Sequence, residues 1–430
     1  MSAPGASMLR LDTATVLRRF HHLERALTLT LGACVPLVGR LDAKAALAKA
    51  AWQCSLTAGE LRGRVFELRY PDRALGRGRD TALIELYERS AHAPEPGAVL
   101  RLLADDLVPG LEAAYARYLE VSDEIADGPS FRFLRTALDE KREQGVALTA
   151  ATRTVPESEA GTRWRAAMRD ALAAVGGVPV EAPVPATDVR LDAGVALAVP
   201  DKPARDDRYF ACSFYWPDNF DTGFPYGDGI RLLLRTAVSH VNEVWAVDTA
   251  GAILYSLGPE LGWEFITDAA RWLYDESRHM QMGEQRLLAW GFQRAEIPLG
   301  SFIYEACAGK SATHRLGMLA FFETKNIGKK AERAETFGQL GDKTSQRDME
   351  FDWADEAIHA GYGRRWLRAA LEASGRDGDE WQKVVDECEA LVAARIASAT
   401  TEEKDALRAR AEELIAKAGD LLGPHDEGAS

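Results

Sequence analysis

Apolar and charged residues are mixed along most of the chain in long stretches that read as helices, separated by short breaks rich in Gly, Pro and Asp. Between residues 13 and 145 such breaks fall at 38–42, 70–80, 94–97 and 128–129. Ala, Leu, Arg and Glu dominate the stretches between the breaks, and these residue types favour helix over strand. The pattern predicts an all-α fold class, with four or more helices in this part of the chain.

Residues 146–227 have a different character, because prolines interrupt a mostly irregular stretch that contains one predicted helix at about 159–175. The end of this stretch, residues 208–229, places aromatic side chains among Asp and Gly residues. We call it the aromatic loop. Its composition is typical of an ordered loop rather than a flexible tether. Packing for stability is the leading interpretation of the aromatic loop, and a lid over a site is the alternative.

Helices return from residue 230 to about residue 373, and two more are predicted at 379–397 and 402–421. A chain of 430 residues exceeds the usual size of one compact core, which is about 100 to 200 residues. We therefore expect three segments: a helical bundle at 1–145, a Pro-rich connector or lid at 146–227, and a second bundle with C-terminal helices at 228–430.

The formal net charge of −14 disfavours nucleic acid and anionic membranes as main partners, because both would be repelled. No stretch reaches about 18 uninterrupted apolar residues, and the first ten residues lack the pattern of a signal peptide. The five cysteines are scattered, without the spacing of a zinc site or a disulfide framework. A cytoplasmic protein with reduced cysteines is the expectation.

Two short segments share one pattern of acidic and histidine residues. Glu276 and His279 follow Asp275, and Glu356 and His359 follow Asp355. Residues three apart lie on one face of a helix, so each Glu and His can reach the same metal ion. A single such pair occurs by chance and usually lies on a solvated face, whereas two pairs that are both preceded by Asp are harder to explain by chance.

A further glutamate stands 33 residues before each motif, Glu243 before Glu276 and Glu323 before Glu356. The first interval fits an antiparallel hairpin that turns at 256–260 with arms of roughly 20 Å, because a helix rises 1.5 Å per residue. The second hairpin would turn at about 336–344. Equal arms place both ligands of a hairpin at the same height, so two packed hairpins would bring four Glu and two His into one layer.

Four carboxylates and two imidazoles suit two first-row metal ions such as iron or manganese. Structural zinc sites prefer thiolates, and magnesium or calcium does not need imidazole. Four buried carboxylates without cations would repel one another at a large cost in free energy. We therefore predict a site for two metal ions, iron first, with these ligands: Glu243, Glu276, His279, Glu323, Glu356 and His359.

This arrangement resembles the ferritin-like di-iron carboxylate superfamily, which includes bacterial multicomponent monooxygenases, acyl desaturases, ferritins and N-oxygenases. The resemblance implies two ferritin-like four-helix bundles, of which the C-terminal one carries the dimetal site. It implies that Glu276 and Glu356 bridge or share the metals, that Asp275 and Asp355 orient the His rings, and that Arg278 helps to neutralise these aspartates. Ile358 stands where a second Arg is expected, which implies asymmetric surroundings. His240 could approach the metals or bond to Glu243, although a satisfied core histidine is the favoured interpretation.

The N-terminal half repeats this pattern at offsets of 216 to 219 residues, with both histidines replaced. We interpret residues 1–145 as a degenerate duplicate of the metal-binding bundle. As a duplicate without a metal site, this half is expected to support the active bundle or to form the interface of a homodimer. Structural or solvated roles are expected for the acidic residues at the equivalent positions, which are Glu24, Glu60, Asp106, Glu140 and Glu143.

The resemblance implies a non-haem di-iron oxidoreductase of the monooxygenase type. It would hold two Fe ions, with a mixed Mn/Fe centre as the alternative, and would use O₂ to oxidise a small organic substrate. A ferredoxin or a reductase would supply electrons. Two other functions stay open at this point: a metal-sequestering, iron-oxidising ferritin-like protein, and a non-catalytic helical interaction module. The sequence does not identify the substrate.

Overall fold

A computed structural model describes residues 8–180 and 195–422, without the side chains of residues 326 and 327. Over these residues the protein is predominantly helical, and the strands are limited to one parallel pair, β1 (Phe210–Ala211) with β2 (Pro298–Leu299). The predicted all-α class is confirmed. None of the described helices is both long enough and apolar enough to cross a membrane.

The chain divides into two compact units, Met1–Val38 with Asp42–Val199, and Gly39–Leu41 with Pro200–Ser430. The predicted division at residues 145 and 227 is a different one. The predicted three segments remain a prediction. The predicted boundary at residue 145 falls within a helix that continues to Thr152. The first unit contains, apart from the first residue of the second helix, α1 (Arg10–Cys34), α2 (Leu41–Arg69), α3 (Thr81–Glu88), α4 (Pro96–Leu102), α5 (Val108–Val121), α6 (Gly128–Thr152) and α7 (Glu159–Ala174).

Helices of the first unit bury an apolar core, and the helix predicted at 159–175 is confirmed as α7. A π-helical turn, Leu103–Leu107, joins α4 to α5, so that these two helices run on without a break. Phe20 of α1 packs edge-on against Tyr115 of α5, with ring centroids 5.0 Å apart. Both rings are fully buried, and such edge-to-face pairs contribute roughly 0.5 to 1.5 kcal/mol beyond their burial.

The second unit contains eight helices among its described residues: α8 (Gly229–Val241), α9 (Val244–Leu261), α10 (Trp263–Ala289), α11 (Phe302–Glu305), α12 (Ala312–Gln339), α13 (Lys343–Ala373), α14 (Trp381–Ala397) and α15 (Thr401–Leu422). The two C-terminal helices match their predicted positions. Helices α9 and α10 pack against each other, α12 packs against α13, and α9 and α10 each also contact the second pair.

The first hairpin turns later than its sequence predicts. The turn was expected at 256–260, but α9 runs through Pro259 to Leu261, and the chain reverses at Gly262. Gly262 has φ +85°, a backbone conformation that favours glycine because it has no Cβ. The second hairpin turns at residues 340–342, inside the predicted range. Both reversals are short, so each pair of helices is antiparallel and closely packed.

Two glycines let neighbouring helices approach closely near the functional residues. A Cβ on Gly283 of α10 would lie 2.3 Å from the backbone N of Val241 in α8. A Cβ on Gly363 of α13 would lie 2.8 Å from the Cβ of Ala320 in α12. The two glycines are 80 residues apart, and each stands four residues after a motif histidine. They therefore belong to the same repeat as the motifs.

Adding a single methyl group at the first of these contacts should destabilise the protein. Gly283→Ala forces α8 and α10 apart, and overpacking of this kind costs about 1 to 3 kcal/mol. Gly361→Ala is the matched control, because Gly361 is an exposed residue inside α13 with nothing within 4 Å of an added Cβ. It should stabilise by about 0.5 to 1 kcal/mol. Thermal unfolding followed by circular dichroism measures both, and equal Tm values for the two variants would contradict the packing.

Candidate metal centre

The structure brings all six predicted ligands together. Glu276 and His279 lie on α10, and Glu356 and His359 lie on α13. Glu323 lies on α12, and Glu243 directly precedes α9. Their ligand atoms form groups in which all atoms lie within 4.8 Å of one another; one group contains Glu276, Glu323, Glu356 and His359, and another contains Glu243, Glu276 and His279. Glu276 belongs to both groups, so its carboxylate lies between two candidate metal positions.

Each motif histidine points its Nδ1 atom into the carboxylates. His279 Nδ1 lies 3.4 Å from Glu243 Oε2, and His359 Nδ1 lies 3.3 Å from Glu276 Oε1. Both rings are fully buried, yet within the described part of the chain neither Nδ1 atom nor Glu243 Oε2 makes a hydrogen bond. Buried polar atoms are nearly always satisfied. Three unsatisfied ligand atoms that face one another fit cations as their missing partners.

The opposite nitrogen of each histidine contacts the aspartate of the other motif. His279 Nε2 lies 3.3 Å from Asp355 Oδ2, and His359 Nε2 lies 3.3 Å from Asp275 Oδ2. Asp275 and Asp355 thus contact the imidazoles as the resemblance implied, with the detail that the contacts cross between α10 and α13. A carboxylate on Nε2–H fixes the tautomer that leaves Nδ1 free to bind a metal.

Two arginines of α10 neutralise these aspartates. Arg278 Nη1 lies 2.8 Å from Asp275 Oδ1 and 2.9 Å from Asp355 Oδ2. Arg271 Nε lies 2.6 Å from Asp275 Oδ2, and its Nη2 lies 3.3 Å from Asp355 Oδ1. We call these four residues the outer ring. Ile358, which replaces the second expected Arg, is 46% exposed. The sequence reading included Arg278 but missed Arg271, which its position four residues before Asp275 indicates.

Glu243 lies between two helices and not within one. Helix α8 ends at Val241 and α9 begins at Val244. Asn242 holds this break, because its side-chain amide donates to the carbonyls of Val238 and Pro298 at 2.8 and 2.9 Å. Its Oδ1 atom accepts from the backbone N–H of Gly300 at 2.7 Å. Glu243 is the most exposed of the six ligands, with 17% of its side chain accessible.

Two charged residues of the site were missed by the sequence analysis. Asp352 is fully buried, and its Oδ1 atom lies 3.4 Å from His279 Nδ1. Lys330 donates from Nζ to Asp352 Oδ1 at 2.6 Å and lies 2.9 Å from Glu356 Oε1. Asp352 stands four residues before Glu356, and Lys330 stands seven residues after Glu323. Both spacings return to the same helix face, so the signal was present in the sequence.

His240 binds Asp352 and not Glu243. Its Nε2 atom lies 3.0 Å from Asp352 Oδ2, and its Nδ1 atom contacts Nη2 of Arg286. Burial and the positive charge of Arg286 lower the pKa of His240 to about 3, so the ring is neutral. Neutral His240 accepts from Arg286 at Nδ1 and donates to Asp352 at Nε2. The favoured interpretation as a hydrogen-bonded core histidine agrees with this geometry, and the residue holds a carboxylate of the site.

The two halves of the site differ at one equivalent position. An offset of 80 residues relates Glu276 to Glu356, and the same offset relates Trp272 to Asp352. Trp272 Nε1 donates to Glu276 Oε1 at 3.2 Å and to Glu323 Oε1 at 3.0 Å. A tryptophan therefore binds carboxylates on one side, where an aspartate and a lysine stand on the other. The two candidate metal positions are consequently not equivalent.

The cluster raises the pKa values of four of its members. It lowers the pKa of two others against the effect of burial, because His279 and His359 bind Glu276 and because Lys330 and His279 lie beside Asp352. Burial alone would lower the pKa of His279, but Asp352 and Asp355 raise it well above its usual value. Burial would also lower the pKa of His359, but Asp275 and Glu276 raise it to about 9. Burial and Asp352 raise the pKa of Glu243 to about 7. Burial, with Glu356 and Glu276, raises the pKa of Glu323 as well.

The charges of the site balance with two divalent ions. The outer ring contains two Asp and two Arg and is neutral by itself. Inside it, five carboxylates face the single positive charge of Lys330, which leaves four negative charges when both imidazoles are neutral. Two divalent cations supply four positive charges. The inner carboxylates are Glu243, Glu276, Glu323, Asp352 and Glu356.

The first unit has no such cluster among its described residues. Glu24 is buried, but its carboxylate accepts hydrogen bonds from Lys141 Nζ at 2.7 Å and from the Tyr115 hydroxyl. Glu60 is exposed, Asp106 pairs with Arg169, Glu143 pairs with Lys49, and Glu140 is partly buried. The expectation of structural or solvated roles for these five residues agrees with this geometry. Lys141 neutralises Glu24 in the first unit, as metal cations could neutralise the carboxylates of the second unit.

A cavity of about 770 Å³ reaches the ligands from the surface of the second unit. Glu243, Glu276, Glu323, Glu356 and Asp352 lie at its floor. Part of the aromatic loop forms one wall, with Tyr215, Phe224 and Tyr226. The loop is ordered, and its buried Tyr209, Phe214 and Trp216 anchor it to the core. The buried aromatic residues agree with the leading interpretation of the loop as packed for stability, and its role as a lid remains a prediction.

A family model described as "Protein of unknown function (DUF455)" matches residues 200–410. The chain is similar to this family over the segment that contains every ligand and most of the second unit. No curated protein and no solved structure matches the chain.

The stability of the metal-free protein should fall as the pH rises from about 6.5, the usual histidine pKa, to about 9, the pKa of His359. In this window the folded protein binds more protons than the unfolded chain. The raised pKa of His359 stabilises the fold below pH 6.5, and this contribution is lost through pH 9. Ionisation of Glu243 near pH 7 acts in the same direction. Thermal unfolding of protein treated with a chelator measures the effect, and a Tm that rises with pH would contradict it.

Loss of either outer aspartate should weaken metal binding. Asp275→Asn and Asp355→Asn remove the carboxylates on the Nε2 atoms of His359 and His279, and such losses typically cost about 10- to 100-fold in metal affinity. Asp268→Asn is the control, because Asp268 lies on the same helix but bonds Trp366 Nε1 at 2.9 Å. Competition with a chromophoric chelator measures the affinities. Equal affinities in all three variants would contradict the assigned role.

Proposed function

We propose that the second unit is a ferritin-like four-helix bundle that binds two metal ions, and that these are iron. The observation that carries the proposal is the convergence of five carboxylates and two imidazoles, with Lys330 as the cation paired with them, beside three ligand atoms without hydrogen bonds. Isolated buried carboxylates cost several kcal/mol each, even after relaxation. Helices α9, α10, α12 and α13 form the proposed bundle, and they carry or directly follow all six ligands.

The donor set favours iron, or a mixed Mn/Fe centre, over zinc. The site offers carboxylate oxygens and two imidazole nitrogens, and no cysteine of the described residues belongs to a candidate metal group. Oxygen-rich sets with imidazole suit Fe and Mn, whereas structural zinc sites rely on thiolates. Glu276 would be shared by both ions, with Glu356 as the second bridge. Glu243 with His279 and Glu323 with His359 would complete the two ends.

We propose further that the protein is an O₂-dependent di-iron oxygenase that oxidises a small organic substrate in the cavity. Two reduced iron ions, when bound, supply the electrons that activate O₂, and an electron-donor protein such as a ferredoxin or a reductase restores them. The chain itself supplies a binding space over the ligands. Phe321 and Trp245 contribute apolar surface to this space. Glu243 is the ligand best able to change its position, because it is partly exposed and lies at a helix break.

The first unit is proposed to be a degenerate duplicate of this bundle. Lys141 supports this interpretation, because its ammonium group neutralises Glu24 at the position equivalent to Glu243. A buried ion pair of this kind keeps an acidic residue in a core without a metal ion. The proposed role of the first unit is structural.

Metal analysis is the direct test of the dimetal site. Protein purified from cells grown without added metal should contain about two iron ions per chain, or one iron and one manganese. Glu276→Ala should reduce this to one ion or fewer, because both candidate groups lose a ligand. Glu389→Ala is the control, since Glu389 lines the cavity but is exposed and pairs with Lys325. Unchanged metal content in Glu276→Ala, or zinc as the main metal, would overturn the assignment.

Reaction with O₂ tests the enzymatic part of the proposal. Protein loaded anaerobically with Fe(II) should consume O₂ with an optical change, and it should do so without building an iron store. Size-exclusion chromatography with iron counting separates the alternatives, because a storage protein forms a very large particle with many irons per chain. Protein that holds two irons but does not consume O₂ would refute the oxygenase and leave a binding function.

A further inference from the structure

The rim of the cavity is basic, although the chain as a whole is acidic. Lys325, Lys329 and Arg333 stand four residues apart on α12, so they form one row along a single helix face, and all three line the cavity. We call them the basic row. The helix rise of 1.5 Å per residue places Lys329 about 9 Å and Arg333 about 15 Å along α12 from the ligand Glu323.

Other cations of the cavity are already neutralised by carboxylates. Arg235 donates to both carboxylate oxygens of Asp218, at 2.8 and 3.0 Å. Lys330 pairs with Asp352 and Glu356 on the floor. These two positive charges therefore leave no excess to attract an anion.

The basic row differs in this respect. Lys325 lies 3.3 Å from the exposed Glu389, a pair that solvent screens. No carboxylate of the described residues pairs with Lys329 or Arg333. The guanidinium carbon of Arg333 lies 4.9 Å from the ring centroid of Tyr226. This contact holds Arg333 against the wall of the cavity and leaves its donors available for a ligand.

Apolar and aromatic side chains line the cavity on the other side of Glu323 from the basic row, because Phe321 and Phe322 precede Glu323 on α12 whereas the row follows it. Phe322 packs against Trp245 with ring centroids 5.0 Å apart and against Phe321 with centroids 4.9 Å apart. Val392 and Ile396 of α14 line the same space. Along α12 the lining of the cavity thus changes from the basic row, past the ligand Glu323, to apolar and aromatic side chains.

We propose that the substrate is an elongated amphiphilic anion, with a carboxylate or phosphate head bound by Lys329 and Arg333. Its apolar body extends from the row past the ligands, and its far end lies along Phe321, Phe322 and Trp245. Two divalent ions cancel the negative charge of the floor, so the unpaired cations of the row set the sign of the potential at the rim. This inference names the substrate class of the proposed oxygenase and rests on that proposal for its chemistry, while the binding step can be measured independently.

Calorimetric titration of the full chain with three ten-carbon probes tests the inference. The probes are decanoate, decyl phosphate and the neutral alcohol decanol. Decanoate or decyl phosphate should bind more tightly than decanol by about tenfold or more, and the affinity of the anion should fall with added salt. Comparison of the two anions identifies the preferred head group. Equal binding of decanol, or no binding of either anion, would overturn the proposal.

The double variant Lys329→Gln/Arg333→Gln should lose about tenfold in affinity for the anion and keep its affinity for decanol. Lys343→Gln/Lys383→Gln is the matched control, because it removes two exposed positive charges of the second unit that do not line the cavity. Circular dichroism checks that both variants fold. Unchanged anion binding in the first double variant would overturn the proposal. Slower electron transfer from a ferredoxin together with unchanged anion binding would also overturn it, in favour of protein docking at the row.

The outcomes for the substrate class and for the oxygenase are distinguishable. Anion binding is measured without O₂ and without turnover, whereas the oxygenase depends on metal content and O₂ consumption. An iron-loaded, O₂-consuming protein that does not bind the anions would refute the substrate class alone.

Discussion

Five carboxylates buried within a few ångströms of one another dominate the energetics of the second unit. Burial, together with repulsion from neighbouring carboxylates, raises the pKa values of Glu243 and Glu323. Attraction to the carboxylates raises the pKa values of His279 and His359 against the effect of burial. Lys330 cancels one charge, and the remaining four correspond to two divalent ions. In the proposed dimetal site, protons and metal ions would compete for the same negative charge, which would couple metal binding, pH and folding stability.

Outside the five inner carboxylates lies the outer ring, whose own charges sum to zero. In the outer ring the positive charges of Arg271 and Arg278 offset the negative charges of Asp275 and Asp355. The crossed contacts from these aspartates to the histidine Nε2 atoms join α10 to α13 and direct both Nδ1 atoms inward. Geometry and charge thus favour the same arrangement, because the contacts that neutralise the outer ring also orient the ligands.

The two units neutralise their buried glutamates in different ways. In the first unit, Lys141 and Tyr115 satisfy Glu24, and the cluster needs no other cation. In the second unit, Lys330 satisfies only part of a larger group of carboxylates. A buried lysine is therefore compatible with a cluster that needs no further cation and with one that does. The number of carboxylates around the lysine decides between the two cases.

The sequence by itself determined the helical class and indicated the six candidate ligands, because residues three apart on a helix and arms of equal length define the local geometry. It also indicated the aspartates and Arg278 through their adjacency to the motifs. Only the tertiary structure decided the crossed pairing, the entry of Asp352 and Lys330, and the position of the first turn at Gly262. These features depend on which faces of different helices meet, and helix-to-helix distances are set by packing at positions such as Gly283 and Gly363 rather than by spacing along the chain.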